Sequence, residues 1–134
     1  MYRIKAFKQV NSVLGVLNGQ FTILDIERYF KELKNVVEEK LTNQFIYIID
    51  ISNFYTMGND GSDLVDQEMA KIRFRLEDMG MKEFFLIGGS MKTFVAIRNS
   101  EKEMNYKTTI MHFPTLEETI NYLEKIKVNR GDIK

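Results

Sequence analysis

The sequence predicts a single α/β domain built around a mostly parallel sheet. Residues 45–51 (FIYIIDI) are an almost unbroken apolar, β-branched run, which is typical of a strand buried on both faces. A second such run covers residues 83–87 (EFFLI). Amphipathic helical patterns separate and flank these two runs, and strands that alternate with helices favour parallel, right-handed connections.

The N-terminal segment predicts a β-hairpin over residues 2–18. Residues 2–10 alternate polar and apolar side chains well enough for one strand, and residues 13–17 supply a second. Asn11-Ser12 would form a two-residue turn between them. Because hairpin strands run antiparallel, the hairpin adds an antiparallel element to the sheet.

The first two helices are predicted from apolar residues that recur every three or four positions. The first covers residues 23–41, with Thr22 as its N-cap and with Asp25 placed favourably at the positive end of the helix dipole. The second covers about residues 62–79, and Gly80 ends it with the left-handed conformation that glycine tolerates.

The rest of the chain continues the alternation. A third helix begins near Ser90, a short strand covers residues 110–113, and a fourth helix starts at Pro114. We therefore predict the order β-β-α-β-α-β-α-β-α within one domain over residues 1–127, followed by a polar tail over residues 128–134.

The composition excludes several classes of function. Lys plus Arg and Asp plus Glu each total 19, so no basic surplus drives binding to nucleic acid or to an anionic membrane. Without cysteine the chain has no disulfide, thiolate metal site or cysteine nucleophile. The N-terminal residues lack the apolar core of a signal peptide, and no apolar run is long enough to cross a membrane. We expect a cytoplasmic protein without a cofactor or a metal.

The segment between the central strand and the second helix is the main candidate for binding a partner. Residues 52–64 (SNFYTMGNDGSDL) predict a loop at the carboxyl end of a parallel strand, where α/β folds usually place their binding surface. If its apolar side chains are exposed, they would form a hydrophobic binding patch. Its polar side chains would cap the helix and contact a partner. The candidate partner-binding residues are Phe54, Tyr55, Met57, Asp60, Ser62 and Asp63.

Three other candidates have simpler structural explanations. Asp50 could orient a ligand or bind a cation, although capping of neighbouring amides explains it more simply. His112, the single histidine, has no serine and acid partner nearby in sequence, so we expect a packed or surface residue and no catalytic residue. Residues 88–92 (GGSMK) have the composition of a minimal anion cradle, but also that of an ordinary strand-to-helix turn. The weak anion-binding candidates are Gly88, Gly89, Ser90 and Lys92.

In the order and spacing of its motifs, the chain resembles the STAS domain family, whose founding members are anti-sigma-factor antagonists. Residues 13–25 match the family's glycine-containing strand and first helix, and residues 47–52 (YIIDIS) match its central strand. Residues 60–64 (DGSDL), 79–89 and 113–118 (FPTLEE) match the following helix start, the next strand and the start of the last helix. The resemblance implies a noncatalytic regulatory module of bacterial signalling that binds a protein partner.

The chain departs from the family at the position that accepts a phosphate. In signalling members the first serine after the loop aspartate is phosphorylated by an anti-sigma-factor kinase, and Gly61 occupies that position here. Ser62 lies one position later, but Asp60, Asp63 and Asp66 would repel a phosphate, so we expect Ser62 to stay unmodified.

The preceding loop also looks longer than in phosphorylated antagonists, which places the chain in the divergent STAS-like branch. Because that branch shares an architecture with lipid-carrying domains, the alternative function is binding of a lipid or a phosphate-bearing small molecule.

Overall fold

The predicted order of elements is confirmed. The computed structural model describes residues 1–56, 58–89 and 91–129, apart from the side chains of residues 55, 56, 58–67, 92, 93, 96, 100 and 126–129. The strands are β1 (Tyr2–Phe7), β2 (Ser12–Phe21), β3 (Phe45–Thr56), β4 (Met81–Ile87) and β5 (Ile110–Phe113). The α-helices are α1 (Ile23–Lys40), α2 (Gly58–Asp78), α3 (Met91–Met104) and α4 (Leu116–Asn129). α4 thus includes the first two residues of the predicted tail, and residues 130–134 lie outside the described part of the chain.

The strands form one sheet in the order β1-β2-β3-β4-β5. β1 pairs antiparallel with β2, and all other neighbours are parallel, as the sequence predicts. α1, α2 and α3 pack on one face of the sheet, and α4 packs on the other. The unbroken apolar run of β3 is explained by burial on both faces of the sheet. Tyr47 and Ile49 pack in the core on the side of α1, α2 and α3, while Ile46 and Ile48 pack in the core on the side of α4.

The hairpin turn differs from the expected two-residue turn. β1 ends at Phe7, and Lys8–Val10 form a 3₁₀ turn. Asn11 then adopts a left-handed conformation with φ 48°, which asparagine tolerates better than most residues. The Asn11 amide donates to the Lys8 carbonyl within the turn at 3.2 Å. The Asn11 side-chain amide donates to the carbonyl of Thr42 at 3.2 Å, so the turn is also held by the segment that follows α1.

The predicted boundaries of β3 and α2 are wrong. β3 continues past Ile51 to Thr56, and α2 begins at Gly58, so the described residues of the expected loop over residues 52–64 are strand or helix. β3 is longer because β2 is longer: β2 runs to Phe21, and its last residues pair with β3 up to the Phe21 and Thr56 pair. Phe, Tyr and Thr near this end of β3 also favour extended backbone.

The predicted start of α1 is confirmed by a capping box. The Thr22 hydroxyl accepts a hydrogen bond from the Asp25 amide at 3.2 Å, and the Asp25 carboxylate accepts one from the Thr22 amide at 2.9 Å. Two backbone donors that the helix itself cannot pair are therefore satisfied. Hydrogen bonds that the Asp25 carboxylate accepts from the Thr22 amide and from the Thr22 hydroxyl lower the pKa of Asp25.

A buried pair of tyrosines joins α1 to the central strand. The hydroxyls of Tyr29 and Tyr47 lie 2.6 Å apart, and both side chains are fully buried. Burial raises the pKa of both hydroxyls, because a phenolate would lose its hydration there. Tyr29 reaches this position because Gly15 has no side chain: a Cβ on Gly15 would overlap the Tyr29 hydroxyl.

We predict that Gly15→Ala lowers the free energy of unfolding by about 1–3 kcal/mol, since the new methyl group overpacks the Gly15–Tyr29 contact. Urea unfolding measures the change. The same substitution should cost less in a Tyr29→Phe background, where the clashing oxygen is gone. An equal cost in both backgrounds would contradict this account.

We also predict a loss of stability in alkali that depends on the tyrosine pair. An unburied tyrosine has a pKa of 10.0, so above that pH the unfolded chain releases protons that the folded pair keeps. The free energy of unfolding should therefore fall as the pH rises from about 9 to about 11. Urea titrations should show a shallower fall for Tyr29→Phe with Tyr47→Phe, and equal slopes for variant and wild type would refute the prediction.

Candidate functional site

The carboxyl edge of the sheet is shaped by a bulge in β3. Val16 pairs with Asp50 and Asn18 with Asn53, so two residues of β3 lie opposite the single residue Leu17. The Asp50 carboxylate accepts hydrogen bonds from the Ser52 amide at 2.9 Å and from the Ser52 hydroxyl at 2.7 Å. Asp50 thus caps the bulge, which is the simpler of the two roles considered for it.

Gly88 lies directly against this bulge. A Cβ on Gly88 would lie 2.8 Å from the Ser52 Cα, and its backbone has φ +77°, which side-chain-bearing residues rarely adopt. The Gly88 amide donates to the carbonyl of Phe113 at 3.1 Å, which joins β4 to the end of β5. Gly89 also has φ +77°, so the predicted glycine turn between β4 and α3 is confirmed.

His112 holds the other side of the glycine turn. Its Nε2 lies 2.9 Å from the carbonyl oxygen of Gly88, and since a carbonyl only accepts, Nε2 carries the hydrogen and donates it. The imidazole stacks on Phe94 of α3, with ring centroids 5.1 Å apart. His112 is half-buried and packed, as the sequence predicts.

Asp50, Ser52 and His112 surround Gly88, yet they are not arranged for nucleophilic catalysis. In a Ser–His–acid relay the serine hydroxyl donates to the imidazole, and the acid binds the other imidazole nitrogen. Here the Ser52 hydroxyl donates to Asp50, and His112 Nε2 is bonded to a backbone carbonyl. Asp50 and His112 thus hold backbone in place, the Ser52 hydroxyl orients Asp50, and the cluster fixes this edge of the sheet.

The structure changes the interpretation of the apolar patch. Phe54 is half-buried, and its ring packs edge-on against Phe21 with centroids 5.4 Å apart. Phe54 is therefore only partly available to a partner, because the extended β2 supplies a packing partner in Phe21. The side chains of Tyr55, Met57, Asp60, Ser62, Asp63, Ser90 and Lys92 lie outside the described part of the structure.

The backbone of α2 also corrects the expected helix cap. With the helix beginning at Gly58, Ser62 and Asp63 lie beyond its first turn and neither can be its N-cap. Asp60 lies within the first turn, where an acidic residue is favoured by the helix dipole. Any role of these residues in binding a partner stays a prediction.

A buried polar network at the opposite end of α3 was not predicted. Arg73 of α2 is buried, its Nη2 lies 2.8 Å from Glu101 of α3, and the same nitrogen donates to the Thr108 carbonyl at 2.6 Å. Glu101 accepts a hydrogen bond from the Ile110 amide at 2.7 Å. The network ties α2, α3 and the start of β5 together.

Glu77, one helical turn after Arg73, completes the network. Its carboxylate accepts hydrogen bonds from the Thr108 amide at 2.8 Å and from the Lys107 amide at 3.1 Å. The sequence carries one signal that Arg73 and Glu77 are buried. They are four residues apart and directly follow the inward-facing Ile72 and Leu76. That spacing equally fits an exposed ion pair.

Comparisons with known proteins identify the fold. No family model matches the chain, and no curated protein matches it. An uncharacterized DUF3478-family protein with a SpoIIAA-like fold from Shewanella loihica PV-4 aligns over 92% of both chains, with a TM-score of 0.66 and 15% identity.

Two structures of SpoIIAA also match. The phosphorylated form of the Bacillus cell fate determinant SpoIIAA aligns over 92% of this chain and 99% of its own, with a TM-score of 0.57 and 15% identity. The unphosphorylated form of the anti-sigma factor antagonist SpoIIAA covers 92% and 98%, with a TM-score of 0.55 and 16% identity. The chain therefore has a SpoIIAA-like fold, and the expected STAS-like architecture is confirmed. None of the described helices is long and apolar enough to cross a membrane.

We predict that Gly88→Ala destabilises the protein by more than the matched variant Gly19→Ala. Both glycines have positive φ, but a Cβ on Gly19 meets no atom within 4 Å, whereas one on Gly88 meets the β3 bulge. Gly19→Ala should cost about 1–2 kcal/mol of backbone strain, and Gly88→Ala should cost about 1–3 kcal/mol more through overpacking. Chemical denaturation compares the two variants, and equal costs would show that the bulge yields to the methyl group.

Proposed function

We propose that this protein is a noncatalytic STAS-like regulatory module that binds a partner protein through the carboxyl edge of its sheet. We call this surface the rim and define it as residues 52–64 and 88–92. The proposed partner-binding side chains are Phe54, Tyr55, Met57, Asp60, Ser62 and Asp63.

The observation that carries the proposal is the length of β3. Its pairing with β4 ends at the Asp50 and Ile87 pair, whereas its pairing with β2 continues to Thr56. Within the described part of the chain, the end of β3 therefore has a strand neighbour on one side only. Such an edge offers backbone donors and acceptors to a partner, and the exposed Asn53 lies on it.

Three further observations support the proposal. The hydroxyl of Ser52 and the imidazole of His112 are committed to structural hydrogen bonds, which favours a binding role over catalysis. The rim is preorganised by the Asp50 cap and the glycine turn, and a preorganised surface loses less conformational entropy on binding. SpoIIAA, which is similar in fold, is an anti-sigma factor antagonist.

Binding of a lipid or a phosphate-bearing small molecule is the alternative. A groove between α1 and α2 encloses about 70 Å³, whereas small-molecule sites usually enclose roughly 300–1,000 Å³. Its lining residues are Ile26, Glu27, Phe30, Glu68, Lys71, Ile72 and Arg75. This groove is too small for an acyl chain, so a ligand of that kind would need a different site, and the alternative places it at the rim.

We predict that a photo-crosslinking amino acid at position 53 captures a partner protein in the native host. Asn53 is exposed at the end of β3, so a crosslinker there should not disturb the core. Lys82 is the matched control, because it is exposed at the amino-terminal end of β4, the opposite edge of the sheet. Mass spectrometry of the adducts identifies the captured protein.

A discrete adduct at position 53 that is absent at position 82 is the expected result. Equal adducts, or none at position 53, would overturn the assignment of the rim. Native mass spectrometry of the protein from the same cells decides the alternative, since a retained lipid or nucleotide would support small-molecule binding.

A further inference from the structure

α3 carries a stripe that is apolar at one end and basic at the other. Met91, Val95, Arg98 and Lys102 follow one another at spacings of three or four residues, so they share one face of the helix. All four are exposed, and the two apolar side chains are unusually so, with 66% of Met91 and 46% of Val95 open to solvent. We call these four residues the basic stripe. Apolar side chains of this size that line up beside cations are a feature of binding surfaces.

α4 carries a stripe of the opposite charge. Glu117, Ile120 and Glu124 are spaced by three and four residues on one face of the helix, and all three are exposed. Ile120 is 39% exposed and lies between the two carboxylates along the helix. We call these three residues the acidic stripe.

The two stripes cannot meet within one molecule, because α3 and α4 pack on opposite faces of the sheet. They match each other in spacing. With Val95 opposite Ile120 in antiparallel helices, Arg98 falls opposite Glu117, since each lies three residues from its apolar neighbour. Arg98 already lies 3.4 Å from Glu101 of its own helix, so Glu117 of the second copy would add a second carboxylate to the same guanidinium. The contact would then combine one apolar pair with this shared ion pair.

From this complementarity we infer that the protein associates with a second copy of itself, with the basic stripe of one copy on the acidic stripe of the next. The two copies use different surfaces in this contact. Two copies therefore form a closed dimer if a second, reciprocal contact can form, and otherwise further copies add to form an open polymer. A contact between two single helix faces is small, so the association is weak and depends on protein concentration.

Sedimentation equilibrium of the intact protein, at loading concentrations from about 10 µM to about 500 µM, tests the inference in the range where small interfaces associate. The weight-average mass should rise from that of one chain towards twice that value or more. It should rise less at about 1 M salt, where the ion pairs are screened. A wild-type protein that stays monomeric throughout overturns the inference, and a partner of another kind would then have to explain the two stripes.

Charge reversal separates this contact from any other self-association. The double variant with Arg98→Glu and Lys102→Glu should be monomeric, because both of its stripes are then acidic. Glu117→Lys with Glu124→Lys should also be monomeric, because both are then basic. Mixing the two variants should restore association, since each altered stripe again meets its opposite. The mixture is measured at about 0.15 M salt, where attraction between the net charges is screened beyond about 8 Å.

The matched control is Lys31→Glu with Lys40→Glu on the exposed face of α1, which changes the net charge equally but leaves both stripes intact. It should associate like the wild type. Circular dichroism checks folding, and the single exchanges Arg98→Glu and Glu117→Lys, which still reverse the proposed ion pair, replace any double variant that does not fold. Association that survives both reversals, or a mixture that stays monomeric, overturns the inference.

Discussion

β3 is buried on both faces, and each of its first residues must therefore find an apolar surface in one of two helical layers. Tyr47 faces α1 and stacks on Phe84, with ring centroids 5.4 Å apart, while its hydroxyl is bonded to Tyr29. That hydrogen bond lets two polar atoms lie in the core without the cost of an unpaired buried group. It also sets the distance between α1 and the sheet, and Gly15 leaves the space that this distance requires.

The same strand positions the proposed binding surface. Its bulge is capped by Asp50, and the absence of a side chain at Gly88 lets the end of β4 lie against it. His112 then fixes the carbonyl of Gly88 and contacts Phe94, so the start of α3 follows the position of β3. The buried Arg73 network holds the far end of α3 through Glu101. α3 is thus fixed at both ends by side chains from other elements.

This arrangement bears on how the molecule could act. The titratable and nucleophilic groups described at the carboxyl edge, those of Asp50, Ser52 and His112, are engaged in hydrogen bonds within the protein. The SpoIIAA-like architecture is shared with an anti-sigma factor antagonist, but Gly61 provides no hydroxyl at the position matched to the family's phosphate acceptor. A phosphate ester therefore cannot form at residue 61. The basic stripe shares Met91 with the rim and otherwise lies further along α3, and the acidic stripe lies on α4. Self-association and partner binding would therefore overlap only at the start of α3.

The sequence by itself determined the features that depend on neighbouring residues. Apolar periodicity identified the strands and helices in order, Thr22 and Asp25 predicted the start of α1, and the glycine pair after β4 predicted a turn. These features follow from spacing, capping and backbone freedom, all of which act over a few residues.

Only the tertiary structure decided the features that depend on distant residues. β3 extends past Ile51 because β2 runs alongside it to Phe21, and that extension also buries half of Phe54. Arg73 is buried because Glu101 and Thr108 compensate its charge and satisfy its donors from 28 and 35 positions away in the chain. Gly15 is required because Tyr29 lies over it. In each case one residue's environment is supplied by another element, and no local pattern carries that information.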